Sequence, residues 1–447
     1  MSRLPYFLHT NKKWIVMGLA MGLPFVAILL HPISFHYDDM QDFLRWSKAW
    51  ELNWRNIYLD CTVCTYPFLG TFFSGGVLSL LDFEKTRHVV RAFHIFLAVI
   101  DALNVIITYL ILKELDVEKA PLWAGVIGLL PSSWLGASYW GQIDGIGQLI
   151  IFVVILYTIR FNKKADVDRT KYSVYLIVSG LLLACLLLIK QLVLFSMICL
   201  GAMVITNILM HSRSLKALLT SLSIFGMSFF CPLFLIDTVL VLPAPYFSHI
   251  QYVLEIGSRI GDVVSSYGFN VWVLFYKDTM VSSHTPIFTL GNLEFSPFLI
   301  GIILFLLVNF LFLLFLFKYF HPIYKTGVRF LSKSDILLWV FQLSFLNLSF
   351  NIFLAGTHER YLYHFYPFII IAFLGNSLIS RKGLFVLLAG AVLYGSFLFG
   401  YLSELNSLFD GYPYYFMAIF HFFLFVYLAV VANRHFLDRS VHSQVNV

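Results

Sequence analysis

Charge is scarce in this chain. Asp, Glu, Lys and Arg together supply 12% of its 447 residues, about half the share found in soluble domains, and 60% of the residues are hydrophobic, which excludes an ordinary water-soluble globular fold. Glycine and proline number 27 and 14, too few for a collagen-like chain, while the low charge excludes a solvated disordered one. Of the 5 cysteines, Cys185, Cys199 and Cys231 lie inside apolar runs, where a thiol behaves as a small hydrophobe. Cys61 and Cys64 form a lone CxxC. Two cysteines fall short of the four ligands of a structural metal site, and a disulfide or two thiols both remain open. No glycine-rich phosphate loop is visible, and no internal repeat gives positive support to an inverted-repeat transporter. The formal net charge of +6 comes from short scattered clusters without a continuous basic stripe, so nucleic acid is not an expected partner.

What the chain has is apolar blocks of membrane-spanning length. Spans are predicted at 14–30, 88–112, 120–138, 146–161, 172–189, 192–210, 217–242, 297–318, 335–355, 364–380, 383–401 and 414–433. The expectation is an all-α polytopic membrane protein, a bundle of about twelve transmembrane helices forming one integral-membrane domain over 1–447 in the lipid bilayer. The first span follows Arg3, Lys12 and Lys13 and has no small-residue cleavage pattern after it, so it reads as an anchor. Basic clusters such as Arg160, Lys163 and Lys164, then Lys318, Lys325 and Lys333, alternate with poorly basic connections, which predicts that both termini are cytoplasmic.

Two connections on the opposite, outer side are long, 31–87 and 243–297, and long connections are commonly functional. Within the first, the apolar stretch 66–81 is short for a span and reads as a helix lying in the interface or re-entering. The second carries aromatic residues between polar ones (Tyr246, Phe247, Tyr252, Phe269, Trp272, Phe275, Tyr276), which suits a segment resting on the outer leaflet.

Ionisable groups collect on that same side. On a helix beginning near Asp38, residues Asp39, Phe43 and Trp46 share one face, with Asp42 beside them, so an acid is held against aromatic surface. A carboxylate there is suited to act as a general base for a hydroxyl; the plainer alternative is a solvated acidic loop. Trp140-Gly141-Gln142-Ile143-Asp144 places polar atoms at a membrane boundary, equally compatible with a turn that caps the next helix. Lys190-Gln191 separates two apolar runs, where a lysine either snorkels or binds an anion. The strongest polar island is Thr357-His358-Glu359-Arg360-Tyr361, three ionisable residues in sequence that are costly between spans unless paired or facing water. Arg360 suits phosphate oxygens because its planar fork stays charged; an ion cluster that only caps a helix is the alternative. The second histidine of the zinc-protease motif is missing after His358-Glu359.

Taken together these segments resemble the GT-C superfamily of polyprenyl-phosphate-sugar-dependent glycosyltransferases. The nearest branches are bacterial membrane proteins similar to the second mannosyltransferase of GPI-anchor synthesis, and the endoplasmic-reticulum glucosyltransferases that extend the N-glycan precursor. Asp39 through Trp46 is similar to the family's first-loop D-x6-W segment. Tyr66-Pro67 resembles its Tyr-Pro-Pro, with Phe68 in place of the second proline. Trp140 to Asp144 resembles W-G-Q-x-D, Lys190-Gln191 the lysine-glutamine step, and His358 to Tyr361 the H-E-R-Y motif.

The resemblance implies an inverting hexosyltransferase that moves mannose or glucose from a polyprenyl-phosphate donor to a glycan or glycolipid acceptor at the outer face. Asp39 is then the catalytic base; Arg360, His358 and Lys190 bind the donor phosphate; and Asp42, Trp46, Tyr66, Gln142, Asp144, Gln191, Glu359 and Tyr361 support them. No metal or other cofactor is expected. The length and the short loops favour a bacterial plasma membrane over the endoplasmic reticulum. Two other classes stay open, a transporter or flippase for a lipid-linked or anionic solute, in which the same charges bind without reacting, and a non-catalytic scaffold for envelope assembly.

Overall fold

The computed structural model describes residues 3–30, 37–61, 63–81, 86–163, 169–212, 214–240, 251, 255, 262–276, 280–325, 330–375, 381–402 and 412–445. It is helical almost throughout: α1 (Arg3–Leu30), α2 (Tyr37–Asn53), a continuous helical run α3 (Phe68–Ser79), α4 (Thr86–Glu114), α5 (Ala120–Leu129), α6 (Asp144–Asn162), α7 (Arg169–Leu187), α8 (Leu194–His211), α9 (Leu215–Leu235), α10 (Pro297–Lys325), α11 (Lys333–Phe353), α12 (Phe365–Gly375), α13 (Arg381–Leu402) and α14 (Tyr412–Val445). Among the described residues, 10 helices are long and apolar enough to cross a membrane, namely α1, α4, α6 to α11, α13 and α14.

The difference from about twelve lies in two places. Residues 120–138 do not run as one span. Helix α5 stops at Leu129 because Leu130, which precedes Pro131, is extended (φ −58°, ψ 128°), the conformation that a following proline enforces. The chain then turns through Pro131–Ser133 and a wide turn over Leu135–Tyr139, every residue of which is buried. Irregular backbone is tolerated at such depth only where protein surrounds it. The other expected span, 364–380, is described over Phe365–Gly375 as α12, directly after a tight 3-10 turn, Glu359–His364; residues 376–380 fall outside the described ones.

Helix α11 is the central post. In its apolar window, 94% of residues are buried, between α8, α10, α12 and α14. Two of its polar side chains bond neighbouring helices: Asn347 Nδ2 donates to Ser196 Oγ at 3.1 Å, and Asn309 Nδ2 donates to Ser349 Oγ at 3.0 Å. Between helices in lipid, where apolar attraction no longer discriminates, such bonds supply adhesion.

Among the described residues, short strands occur only in connections. The described end of the second long loop adds β1 (Ser265–Ser266) in parallel to β4 (Thr357–His358), pairing Ser265 with Thr357 and Ser266 with His358. A hairpin of β2 (Phe288–Leu290) and β3 (Leu293–Phe295) follows β1 in the chain. The aromatic residues of this loop divide. Phe269 and Trp272 are buried, and the Trp272 indole donates to the Phe353 carbonyl, whereas Phe275 is exposed and Tyr276 half-buried; two of the four described members of the expected leaflet-facing set therefore anchor the loop to the bundle. Tyr246, Phe247 and Tyr252 lie outside the described residues.

In the first long loop, α3 runs through the stretch read as interfacial or re-entrant and packs against α2. Its Gly70 amide donates to the Leu188 carbonyl at 2.9 Å, fixing α3 to the turn that precedes Lys190. A methyl at Gly70 meets the Ile189 carbonyl, with Tyr66 Cβ at 2.9 Å. We expect Gly70→Ala to lower thermal stability in detergent by about 1–3 kcal/mol, as overpacking does; an unchanged melting temperature would contradict this close approach.

Candidate active site

Two polar segments from opposite ends of the chain meet at one place. Asp39 sits in the first turn of α2, and the same helix buries Phe43 and Trp46, the face expected from i, i+4, i+7 spacing. Phe43 packs edge-on against Phe93 of α4 at 6.2 Å, and Trp46 packs against Tyr66 at 5.0 Å. The aromatic residues thus hold the acid end of α2 over the bundle.

Arg360 reaches Asp39 from the tight turn after β4. Its Nη1 lies 3.7 Å from Asp39 Oδ2 and 3.4 Å from Glu359 Oε1. The indole of Trp140 joins them: Nε1 donates to Asp39 Oδ2 at 3.1 Å, and its face receives the Arg360 guanidinium 5.3 Å from the ring centroid. A cation over an indole and a carboxylate on the indole N–H are complementary uses of one ring. Tyr401 stacks on Trp140 at 5.5 Å. Residue order marks Trp140 as the first residue of the W-G-Q-x-D segment and assigns it no role of its own. No spacing rule reveals that its ring spans acid and base, because the partners lie on three separate segments.

The turn itself is pinned from below. Gly356 takes a left-handed conformation (φ 72°), its amide donates to the Val264 carbonyl at 3.1 Å, and Asn270 Nδ2 donates to the Val264 carbonyl and to Thr357 Oγ1, both at 3.0 Å. His358 Nδ1 stands 4.0 Å from Glu359 Oε2, and its ring meets Tyr361 at 5.2 Å.

Burial raises the Glu359 carboxyl to about 7, against the attraction of Arg360. For Arg360 burial works against charge, but Asp39 and Glu359 outweigh it, so the guanidinium is held above its usual range. His364, at the end of the same turn, is fully buried and lowered to about 4 by desolvation, hence neutral.

A second cluster lies alongside. Lys190 Nζ donates to both carboxylate oxygens of Asp144, at 3.1 and 2.9 Å, and approaches Gln142 Oε1 at 3.4 Å. It also lies over the Tyr66 ring, 5.0 Å from the centroid, and the Tyr66 hydroxyl donates to Gln142 Oε1 at 3.2 Å. Gln191 Nε2 donates to the Thr65 carbonyl, so this step ties the first loop to the lysine. Gly141 makes the bend possible, with φ 87°. Desolvation opposes the lysine charge, Asp144 and Tyr66 more than restore it, and its pKa is raised. Tyr66 and Tyr361 feel both Lys190 and Arg360, which makes the two clusters electrostatic neighbours.

The expected residues therefore gather with one outlier. Asp39, Trp46, Tyr66, Gln142, Asp144, Lys190, Gln191, His358, Glu359, Arg360 and Tyr361 contribute to the two clusters, whereas Asp42 points outward and pairs with Arg45 at 3.0 Å, its side chain 41% exposed. Lys190, expected at a phosphate, is enclosed with Asp144, the two side chains 6% and 1% exposed. Among the Asp, Glu, His, Lys and Arg members, Asp39, at 28%, and His358, at 24%, are the open ones. Cys61 and Cys64 form a disulfide. Among the described residues no group of three or more His, Cys, Asp and Glu is placed to hold a metal ion.

Breaking a buried ion pair by removing one partner costs about 3–5 kcal/mol, while replacing both partners with apolar residues is often neutral. Lys190→Met is therefore expected to destabilise the detergent-solubilised protein strongly, and Lys190→Met combined with Asp144→Leu to recover most of the loss in a thermal melt. Equal damage from the single and double variants would contradict the pairing. No family model, curated protein or solved structure matches the chain.

Proposed function

We propose that this protein is an inverting glycosyltransferase that moves a hexose, mannose or glucose, from a polyprenyl-phosphate donor to a hydroxyl of a glycan or glycolipid acceptor at the outer membrane face. The observation that carries the reading is the 3.7 Å approach of Asp39 Oδ2 to Arg360 Nη1, a base and an anion-binding fork at one partly open place. The donor is lipid-borne, so a bundle with its polar cluster at the ends of spans suits it without a nucleotide-binding fold.

The chemistry follows from the two groups. Asp39 takes the proton of the acceptor hydroxyl, and the oxygen attacks the anomeric carbon from the face opposite the phosphate. The new C–O bond forms as the sugar–phosphate bond breaks, and the electron pair leaves on a phosphate oxygen, where Arg360, with His358 beside it, meets the growing charge. The Trp140 N–H holds the carboxylate in place. Lys190, closed against Asp144, then supports the site from behind. No step uses a metal.

Asp39→Asn is expected to abolish transfer in membranes supplied with a polyprenyl-phosphate sugar while the protein still accumulates at normal level. Arg360→Ala is expected to lower the rate by about 10²-fold or more, and chelator to leave the wild type unchanged. Turnover that survives Asp39→Asn would remove the base, and a strict requirement for Mg²⁺ or Mn²⁺ would move Asp39 to metal binding.

The pH dependence follows from Glu359. Below about 7 its carboxyl is neutral, leaving Arg360 one opposing charge fewer and the site more attractive to a phosphodiester, which does not titrate near neutrality. Above about 7 it ionises and competes for Arg360, so donor KM is expected to rise with pH through that range. Glu359→Gln should flatten the inflection; an unaltered profile would overturn this role. In a transporter built on the same charges, labelled lipid-linked solute would cross vesicles containing the protein without forming product, and that assay separates the two readings.

A further inference from the structure

A second polar site lies deeper, inside the bundle. Asp101, Asn104 and Thr108 form one stripe along α4 by the i, i+3, i+7 rule, and all three are buried. Together with Gln148 of α6, Ala20 of α1 and Trp134 they line one cavity of about 10 Å³, the room of a single small solvent molecule or ion. None of these residues belongs to the clusters around Asp39 and Lys190. An acid within a spanning helix marks a function unless it is neutralised by a partner, and no basic side chain lines this cavity.

The walls are rich in acceptors. Among the described residues, Asp101 Oδ2, Asn104 Oδ1 and Gln148 Oε1 have no hydrogen-bond partner, although each side chain is at least nine-tenths buried. Asn104 is oriented by its Nδ2, which donates to the Gly145 carbonyl at 3.0 Å, so the amide oxygen is the atom left over. A fourth acceptor comes from the backbone. Pro24 sits inside α1 and has no N–H to give the carbonyl one turn earlier, which belongs to Ala20, and both residues line the cavity. Trp134 Nε1 is an unpartnered donor on the same wall.

Four acceptors facing one water-sized space are poorly served by water, which donates two hydrogen bonds, and well served by a cation. One carboxylate balances one positive charge; a divalent ion would leave a net charge buried in the bundle, at a desolvation cost of several kcal/mol per ion. We propose that Asp101, Asn104, Gln148 and the Ala20 carbonyl, with the Thr108 hydroxyl, form a binding site for one monovalent alkali cation of sodium's size. Occupancy ties α1, α4 and α6 together. It also braces the candidate active site from beneath, because the Tyr363 hydroxyl, on the turn that carries Arg360, donates to the Ser133 carbonyl at 3.1 Å and stands 3.5 Å from Asp101 Oδ1.

The test is thermal unfolding of the purified full-length protein in detergent, with NaCl replaced stepwise by choline chloride at constant ionic strength and fixed pH. The site predicts a saturable rise in melting temperature with sodium, of a few degrees, that choline does not give. Asp101→Asn should abolish the response or shift half-saturation at least tenfold. Gln148→Leu, which keeps the carboxylate and removes one oxygen, should shift it in the same direction by less, and it serves where Asp101→Asn fails to accumulate. Equal melting in the two salts would overturn the proposal. So would a transition that follows pH alone, which would assign Asp101 a proton, or a full sodium response in Asp101→Asn or Gln148→Leu.

Discussion

Keeping a guanidinium charged inside an apolar bundle is the constraint that organises this protein. Arg360 is almost wholly covered, its side chain 11% exposed, and a buried cation is tolerated only when opposite charge and hydrogen-bond acceptors surround it. Its own neighbour Glu359 supplies one carboxylate, raised toward neutrality by burial, and cannot balance it fully. The remainder comes from Asp39, on a helix near the other end of the chain, and from the face of Trp140. Three segments that are separately poor candidates for the membrane boundary thus become compatible with it by meeting.

The two ion pairs of the site differ in a way that divides their labour. Lys190 and Asp144 are joined by two short bonds and closed from solvent, an arrangement in which each charge is fully used by the other and neither has capacity to spare. Asp39 and Arg360 stand 3.7 Å apart, with Asp39 partly open, and the carboxylate already shares its Oδ2 with the Trp140 indole. Such a contact is exchangeable: an incoming anion can take the free edge of the guanidinium while the carboxylate keeps the indole. The closed pair serves as frame, and the loose pair keeps one edge of the guanidinium uncommitted.

Much of this was readable from residue order, for a stated reason. Hydropathy marks spans because lipid offers no partner for polar backbone, and α4 and α6 fall within a few residues of their expected limits. The islands around Trp140, Lys190 and Arg360 stand out because charge between apolar blocks is costly. What order alone does not carry is pairing. Nothing in Ser265 or Thr357 announces the parallel register of β1 with β4, and nothing around Asp42 shows that it turns outward to Arg45 while Asp39 turns inward. Pro131 did carry a legible signal, the break after Leu130, which hydropathy averaging conceals.

That break bears on why the site lies where it does. A regular helix uses its own N–H and C=O groups and offers a neighbour only side chains, whereas an interrupted one turns its chain and brings side chains in from new directions. Here the interruption after Leu130 leads through the buried turn 135–139 to Trp140 and the left-handed Gly141. The interruption after Phe353 leads through the left-handed Gly356 to Arg360. Both bends are held by outside partners: His94 Nδ1 against the Ser138 carbonyl at 2.7 Å for the first, Asn270 and β1 for the second. Had residues 120–138 and 357–380 each formed an unbroken span, Trp140 and Arg360 would ride on helix ends set by the length of the span. Helix ends followed by braced turns let the two residues be brought face to face over Asp39, and the irregular backbone is the means by which an all-helical bundle builds a convergent polar centre.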